Sequence, residues 1–168
     1  MSRRSNLTLL VTLVALSLAL VACRNRSGDA VGGVIRVTNA EKIHPIAQAQ
    51  IKLTPLAPIA GAKGVDEQPE AAGNLRGVDT TNDTGAFRIA SLSSDQTFQE
   101  YELLRNWTYQ LQVLVPGYYI YSAEFPFESG TSEVEVTLKQ KGNDVEDDSD
   151  GVQFHVNGVQ MGSIRRHQ

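Results

Sequence analysis

The sequence predicts an all-β protein with the architecture of a β-sandwich. Apolar and polar residues alternate with a period of two in several short segments. The clearest is 107–115, where Trp107, Tyr109 and Leu111 share one face. Turn signals such as Pro116-Gly117 separate the segments, and strands do not alternate regularly with helices. Short strands joined by turns are typical of two packed sheets.

Seven segments are predicted to be strands of this sandwich: 31–38, 48–54, 77–81, 86–90, 107–115, 118–121 and 131–139. Residues 93–106 are instead predicted to form one short helical insertion, because Phe98, Tyr101 and Leu104 follow one another at spacings of three. Residues 55–77 are rich in proline and glycine and lack an apolar period, which predicts a long loop that either binds a partner or is disordered.

The chain beyond the sandwich divides into a linker and a hairpin. Residues 141–151 are acidic and bounded by glycines, which indicates a solvated linker. In the last segment, 152–168, Asn157-Gly158 separates alternating apolar residues, a strong signal for a β-hairpin over 152–164. We expect the hairpin to pair with an edge of the sandwich or to await a partner, and the tail at Arg165-Arg166-His167 to be frayed.

Residues 1–22 are predicted to be a signal peptide. Arg3 and Arg4 precede an uncharged, mostly apolar run that ends at Leu20-Val21-Ala22-Cys23. A plain signal peptide with an incidental cysteine and a transmembrane anchor are the alternatives. The run is shorter than the roughly 20 apolar residues of a spanning helix and is interrupted by Thr and Ser.

Leu20-Val21-Ala22-Cys23 resembles a bacterial lipobox. The resemblance implies cleavage before Cys23 and a diacylglycerol on its sulfur, so that membrane lipid becomes a partner and residues 23–30 become a lipidated tether. Several acyl chains together anchor stably, since each buried methylene contributes about 0.8 kcal/mol. Arg24 follows the cysteine in place of the Asp that retains enterobacterial lipoproteins at the inner membrane. We therefore expect a cell-envelope lipoprotein, at the outer membrane.

Residues 31–140 resemble the carboxypeptidase regulatory-like, or transthyretin-like (prealbumin-like), domain. The segments that carry the resemblance include Gly33-Val34-Ile35, the turn Asp83-Thr84-Gly85-Ala86-Phe87, the strand 109–113, and Pro116-Gly117-Tyr118. The resemblance implies a seven-stranded transthyretin-like β-sandwich. Such domains are mostly non-catalytic modules of secreted or surface proteins.

Composition and motifs give no indication of an enzyme. The 168 residues suit one domain, and a formal net charge of −4 disfavours nucleic acid as a partner. One cysteine excludes a cysteine-cluster zinc site, and His44, His155 and His167 leave little for triad or metal chemistry. A related branch hydrolyses 5-hydroxyisourate, but its catalytic His and Arg pattern and its Tyr-Arg-Gly-Ser ending are absent. We expect no enzymatic activity, no catalytic residues, no cofactor and no metal.

The expected function is binding or assembly at the cell envelope. The favoured hypothesis is a non-catalytic module that docks an envelope protein through loop 55–77, the 93–106 insertion or the C-terminal hairpin. The alternative is carbohydrate or peptidoglycan binding through exposed tyrosines. Tyr119 and Tyr121 are the candidate contacts, because alternation places them on one face of their strand; that face is either core or an exposed patch.

Overall fold

The structure, a computed structural model, describes residues 28–39, 42–70, 74–116, 120–139, 153–161 and 164–167. Thirteen strands lie in these ranges: β1 (Ala30–Asn39), β2 (Lys42–Pro45), β3 (Gln50–Pro58), β4 (Leu75–Thr80), β5 (Ala86–Ile89), β6 (Leu92–Ser94), β7 (Glu100–Tyr101), β8 (Trp107–Leu114), β9 (Ile120–Phe127), β10 (Thr131–Lys139), β11 (Gln153–Val156), β12 (Val159–Gln160) and β13 (Ile164–His167).

The strands form two sheets, so the all-β prediction is confirmed. The first sheet has the order β12-β11-β10-β1-β2, and β5 pairs with β1 beside β2. The second sheet has the order β13-β9-β8-β3-β4-β6-β7. Nearly all neighbours are antiparallel; β1 and β10 are parallel over nine residue pairs. Two sheets with a common interior are the arrangement of a β-sandwich.

One hydrophobic core joins the sheets. Alternate residues of β8 are buried, as the period-two pattern predicts, and Tyr109 is wholly inaccessible. The ring of Tyr109 meets that of Phe127 edge-on, with centroids 5.8 Å apart. Phe125 on β9 contacts Phe154 on β11 at 6.3 Å between centroids, so the C-terminal hairpin contributes to the core.

Gly33 allows β1 and β10 to lie together. A Cβ on Gly33 would stand 1.7 Å from the carbonyl oxygen of Val134, its partner in the ladder. No side chain fits in that space, so any other residue would push the two strands apart. The resemblance singled out this glycine, and the close approach gives it a physical reason.

Residues 93–106 do not form the predicted helix. They hold β6, a turn and the short strand β7, which extend the second sheet beyond β4. Leu104 is buried as a helix face would require, but Phe98 is 88% exposed. The spacing of three was misleading because Leu103 and Leu104 enter the core from an irregular segment next to β8.

The strand count of seven is too low. All seven predicted segments contain strands, but β2 and the pair β6–β7 add to the edges of the two sheets. Residues 55–77 are not one loop either, because β3 continues to Pro58 and β4 begins at Leu75.

The C-terminal hairpin is present and pairs with the sandwich. β11 lies beside β10, and Asn157 and Gly158 turn the chain into β12 with φ values of 51° and 77°. The prediction of a frayed tail at Arg165-Arg166-His167 is wrong, since β13 belongs to the second sheet and pairs with β9. The predicted signal peptide 1–22 and the whole acidic linker 141–151 lie outside the described residues.

Gly33→Ala should destabilise the protein by about 3 kcal/mol or more, because the methyl group overlaps backbone that cannot move without breaking the β1–β10 ladder. Gly28→Ala is the matched control, since a Cβ there meets nothing within 4 Å, and it should stay within about 0.5 kcal/mol of the parent. Urea unfolding of both variants measures the difference. Equal stabilities would contradict the packing described for β1.

Candidate functional site

Phe98 is the most exposed large apolar side chain among the described residues. It lies in the turn between β6 and β7 and is 88% accessible. The other large apolar side chains that are exposed are Ile43, Leu56, Val78 and Val159, at 42–66%. A lone exposed aliphatic residue is ordinary on a protein surface, but an exposed phenylalanine at a turn is a feature that needs explanation.

The turn holds Phe98 in a left-handed backbone conformation, with φ of 54°. The Phe98 N–H donates to the Ser94 carbonyl at 3.0 Å, and the Ser94 N–H donates to the Gln99 carbonyl at 3.3 Å. The Ser94 hydroxyl also accepts the N–H of Gln96 at 3.2 Å. Left-handed backbone costs a residue other than glycine roughly 1–2 kcal/mol. Phe98 therefore carries both a backbone cost and the cost of an apolar ring in water.

The turn lies at the end of the sandwich where β1 and β8 begin. β6 ends at Ser94, which pairs with Leu75, the first residue of β4. The chain continues past that point toward the level of Trp107, the first residue of β8. We call this end, with Gly28, residues 59–70, the turn 95–99 and residues 105–106, the N-terminal end.

Asp29 fixes the chain where it enters the sandwich. Its side chain is only 5% exposed, and one carboxylate oxygen accepts the Gly130 N–H at 2.6 Å. The other oxygen accepts Nε of Arg105 at 2.6 Å. This hydrogen bond and the charge of Asp29 raise the pKa of Arg105. Whatever precedes Gly28 therefore leaves the sandwich at a defined place.

Residues 59–70 are held against the same end. The Trp107 indole donates to the Asp66 carbonyl at 2.7 Å, and the Arg105 N–H donates to the Asp66 side chain at 2.9 Å. The side-chain amide of Asn106 donates through Nδ2 to the backbone carbonyls of Lys63 and Gly64 at 3.0 and 2.9 Å. The loop 55–77 was predicted either to bind a partner or to be disordered. These hydrogen bonds do not fit disorder for residues 63–66.

The surroundings of Phe98 are acidic. Asp95, Glu100 and Glu102 flank it in the chain and are all exposed. Arg76 pairs with Asp95 at 2.6 Å, and the described residues pair no cation with the other two carboxylates. The turn therefore presents one exposed aromatic ring on a segment whose Glu100 and Glu102 carboxylates are also exposed.

Tyr109 supports the segment that connects this turn to β8. Its hydroxyl accepts the Leu104 N–H at 2.7 Å and donates to the Leu104 carbonyl at 3.2 Å. Burial raises the pKa of the Tyr109 phenol above its ordinary value, against the smaller lowering effect of the bond with Leu104. The neutral phenol thus satisfies both backbone polar groups of the buried Leu104.

The predicted site residues are not brought together. Cys23 and Tyr119 lie outside the described residues. Tyr121 is 9% exposed and belongs to the hydrophobic core. Of the two faces that alternation allowed, Tyr121 is therefore on the core face, and its ring is not a stacking platform for a sugar.

The order of the strands places the three histidines on separate strands of the described ranges. His44 is on β2 and His155 on β11, with β10 and β1 between them, while His167 is on β13 of the other sheet. The described ranges contain no group of three or more His, Cys, Asp or Glu side chains arranged to hold a metal ion. No helix within those ranges is long and apolar enough to cross a membrane.

Sequence reasoning placed Phe98 on the buried face of a helix and so missed the site. One signal could have found it. Residues 95–100 read Asp-Gln-Thr-Phe-Gln-Glu, a polar run in which the phenylalanine is the sole apolar residue. On a helix, three of the four nearest neighbours of Phe98 on its face would be the polar residues Ser94, Asp95 and Glu102, which disfavours an apolar helix face.

Comparisons with known proteins do not show which family the chain belongs to. No family model matches the chain. No curated protein matches it significantly. A solved structure to which it is similar is the crystal structure of (S)-allantoin synthase, with 14% identity and a TM-score of 0.39. The alignment covers 90% of this chain and 48% of that chain, so this chain spans about half the length of that protein.

The expectation that the chain is not an enzyme is contradicted by this similarity to an enzyme. It was drawn from motifs that are absent, and an absent motif does not exclude a catalytic site of another kind. The similarity is too weak to establish a catalytic function.

Tyr109→Phe should lower the free energy of unfolding by about 1–3 kcal/mol at pH 8, because the buried Leu104 N–H loses its acceptor. The difference in free energy of unfolding between the parent and the variant should shrink as the pH rises above about 10. The folded state holds the phenol neutral while the unfolded chain ionises it, so ionisation favours unfolding by up to about 1.4 kcal/mol per pH unit. Urea unfolding from pH 8 to 11 measures both proteins. A gap that stays constant would contradict this account of Tyr109.

Proposed function

We propose that the protein is a lipoprotein of the bacterial cell envelope whose β-sandwich, of the transthyretin-like kind, docks an envelope protein through Phe98. The observation that carries the docking proposal is the 88% exposure of Phe98 in a left-handed turn. Strained, exposed groups persist where a function needs them. Aromatic side chains are also frequent among the residues that dominate binding energy at protein interfaces.

The anchoring proposal rests on Leu20-Val21-Ala22-Cys23 and on the clamp at Asp29. Residues 24–28 reach at most about 18 Å, at up to 3.6 Å per residue. A lipidated Cys23 would therefore hold the N-terminal end of the sandwich against the membrane surface. Since Arg24 replaces the Asp of the retention signal, the proposed location is the outer membrane.

A protein fits the Phe98 turn better than the lipid surface itself. Glu100 and Glu102 lie within four residues of Phe98 and are exposed, and negative charge on this segment is repelled by an anionic lipid surface. A partner with an apolar pocket and basic groups at its margin would complement both features. The alternative of glycan binding has no such support, because Tyr121 is in the core.

Cys23→Ser tests the anchor. The variant should leave the membrane fraction or accumulate with its signal peptide uncut, because the thioether can form only on the cysteine sulfur. Fractionation and the mass of the purified chain measure this. A membrane pool of the variant equal to that of the parent would mean that the apolar run spans the membrane, and the lipoprotein proposal would fail.

Phe98→Asn tests the docking turn. Asparagine adopts left-handed backbone more easily than phenylalanine, so the variant should be as stable as the parent or up to about 1 kcal/mol more stable. Capture of its partner by in-cell crosslinking should fall about tenfold or more. Val78→Asn is the matched control, since Val78 is 66% exposed on β4, and it should capture the same partner as the parent. Equal capture by both variants would rule out Phe98 as the contact.

A further inference from the structure

The outer face of the first sheet carries an open groove of about 680 Å³, within the range of roughly 300–1,000 Å³ that is usual for ligand sites. β1 forms its floor, and β5 and β10 form its two sides. The side chains and backbone that line it include Gly32, Val34, Arg88, Glu133, Glu135 and His155. It is separate from the Phe98 turn, which belongs to the second sheet.

Gly32 leaves the centre of this floor as bare backbone. A Cβ there would lie 3.2 Å from the Phe87 carbonyl oxygen, a tight contact but far less severe than the 1.7 Å overlap at Gly33. Its φ is not in the left-handed region. A glycine inside a strand weakens that strand, and one reason to keep it is the close approach of a ligand.

Two opposite charges flank Gly32. The ladder places Arg88 of β5 on one side of it and Glu133 of β10 on the other. Their Cα atoms are thus two strand spacings apart, about 9.6 Å. Neither side chain pairs with another described residue, whereas the neighbouring Glu135 is bound by Arg36. A cation and an anion therefore line the groove from the two strands on either side of Gly32.

We propose that this groove binds a short zwitterionic peptide. Its carboxylate lies on Arg88, whose guanidinium can take a carboxylate with two hydrogen bonds, and its ammonium lies on Glu133. An extended tripeptide spans about 10 Å, comparable with the spacing of the Cα atoms of Arg88 and Glu133, and both side chains line the groove. The inference does not depend on lipidation or on the Phe98 turn.

Triglycine is the probe, and isothermal titration of the folded protein is the measurement. We expect one saturable site. Arg88→Gln and Glu133→Gln should each weaken binding about tenfold, since each removes a charged hydrogen bond. Gly32→Val should abolish binding by filling the floor. Glu124→Gln, an exposed carboxylate on the second sheet, is the control and should bind like the parent.

Blocked peptides assign the two ends. N-acetyl-triglycine should bind the parent as weakly as triglycine binds Glu133→Gln, and that substitution should not weaken it further. Triglycine amide should bind the parent as weakly as triglycine binds Arg88→Gln, and Arg88→Gln should not weaken its binding further. If Gly32→Val does not fold, the two charge variants decide the matter. Absence of saturable binding, or binding that survives both charge substitutions, overturns the proposal.

Discussion

The parallel pairing of β1 with β10 is the contact on which the first sheet depends. β1 is central, with β10 on one side and β2 and β5 on the other. Gly33 lets its backbone approach Val134, and Asp29 fixes the start of the pair by binding Gly130. The same pairing positions Gly32 beside Glu133 and sets where the preceding chain leaves the sandwich. Both the groove and the point at which the proposed tether would leave the sandwich therefore follow from one strand.

The Phe98 turn is built differently, because its hydrogen bonds are local. Ser94 organises it through its carbonyl, N–H and hydroxyl. Behind it, Tyr109 holds the Leu104 peptide in the core. A rigid base thus supports a ring that gains nothing from the protein itself, since it is almost wholly in water. Backbone held in this way would lose little conformational freedom on binding a partner.

Much of the fold could be predicted from the sequence, because period-two alternation directly reports burial on one face of a strand. β8 and the Asn157-Gly158 hairpin follow from that rule and from turn chemistry. The structure of residues 93–106 could not be predicted in this way, since apolar spacing over so few residues cannot distinguish a helix from a turn between short edge strands. Pairing of β13 with β9 depends on long-range contacts that local patterns do not encode. The groove was missed for the same reason: Arg88, Gly32 and Glu133 become neighbours only through the order of the strands.

The central claim is that a membrane-anchored sandwich docks a protein through Phe98. A photoreactive phenylalanine analogue at position 98, activated in living cells, tests it most directly, with the same analogue at position 78 for comparison. The account predicts one discrete protein adduct from position 98, in the membrane fraction, and none of that size from position 78. Adducts to lipid alone, or the same adducts from both positions, would contradict it.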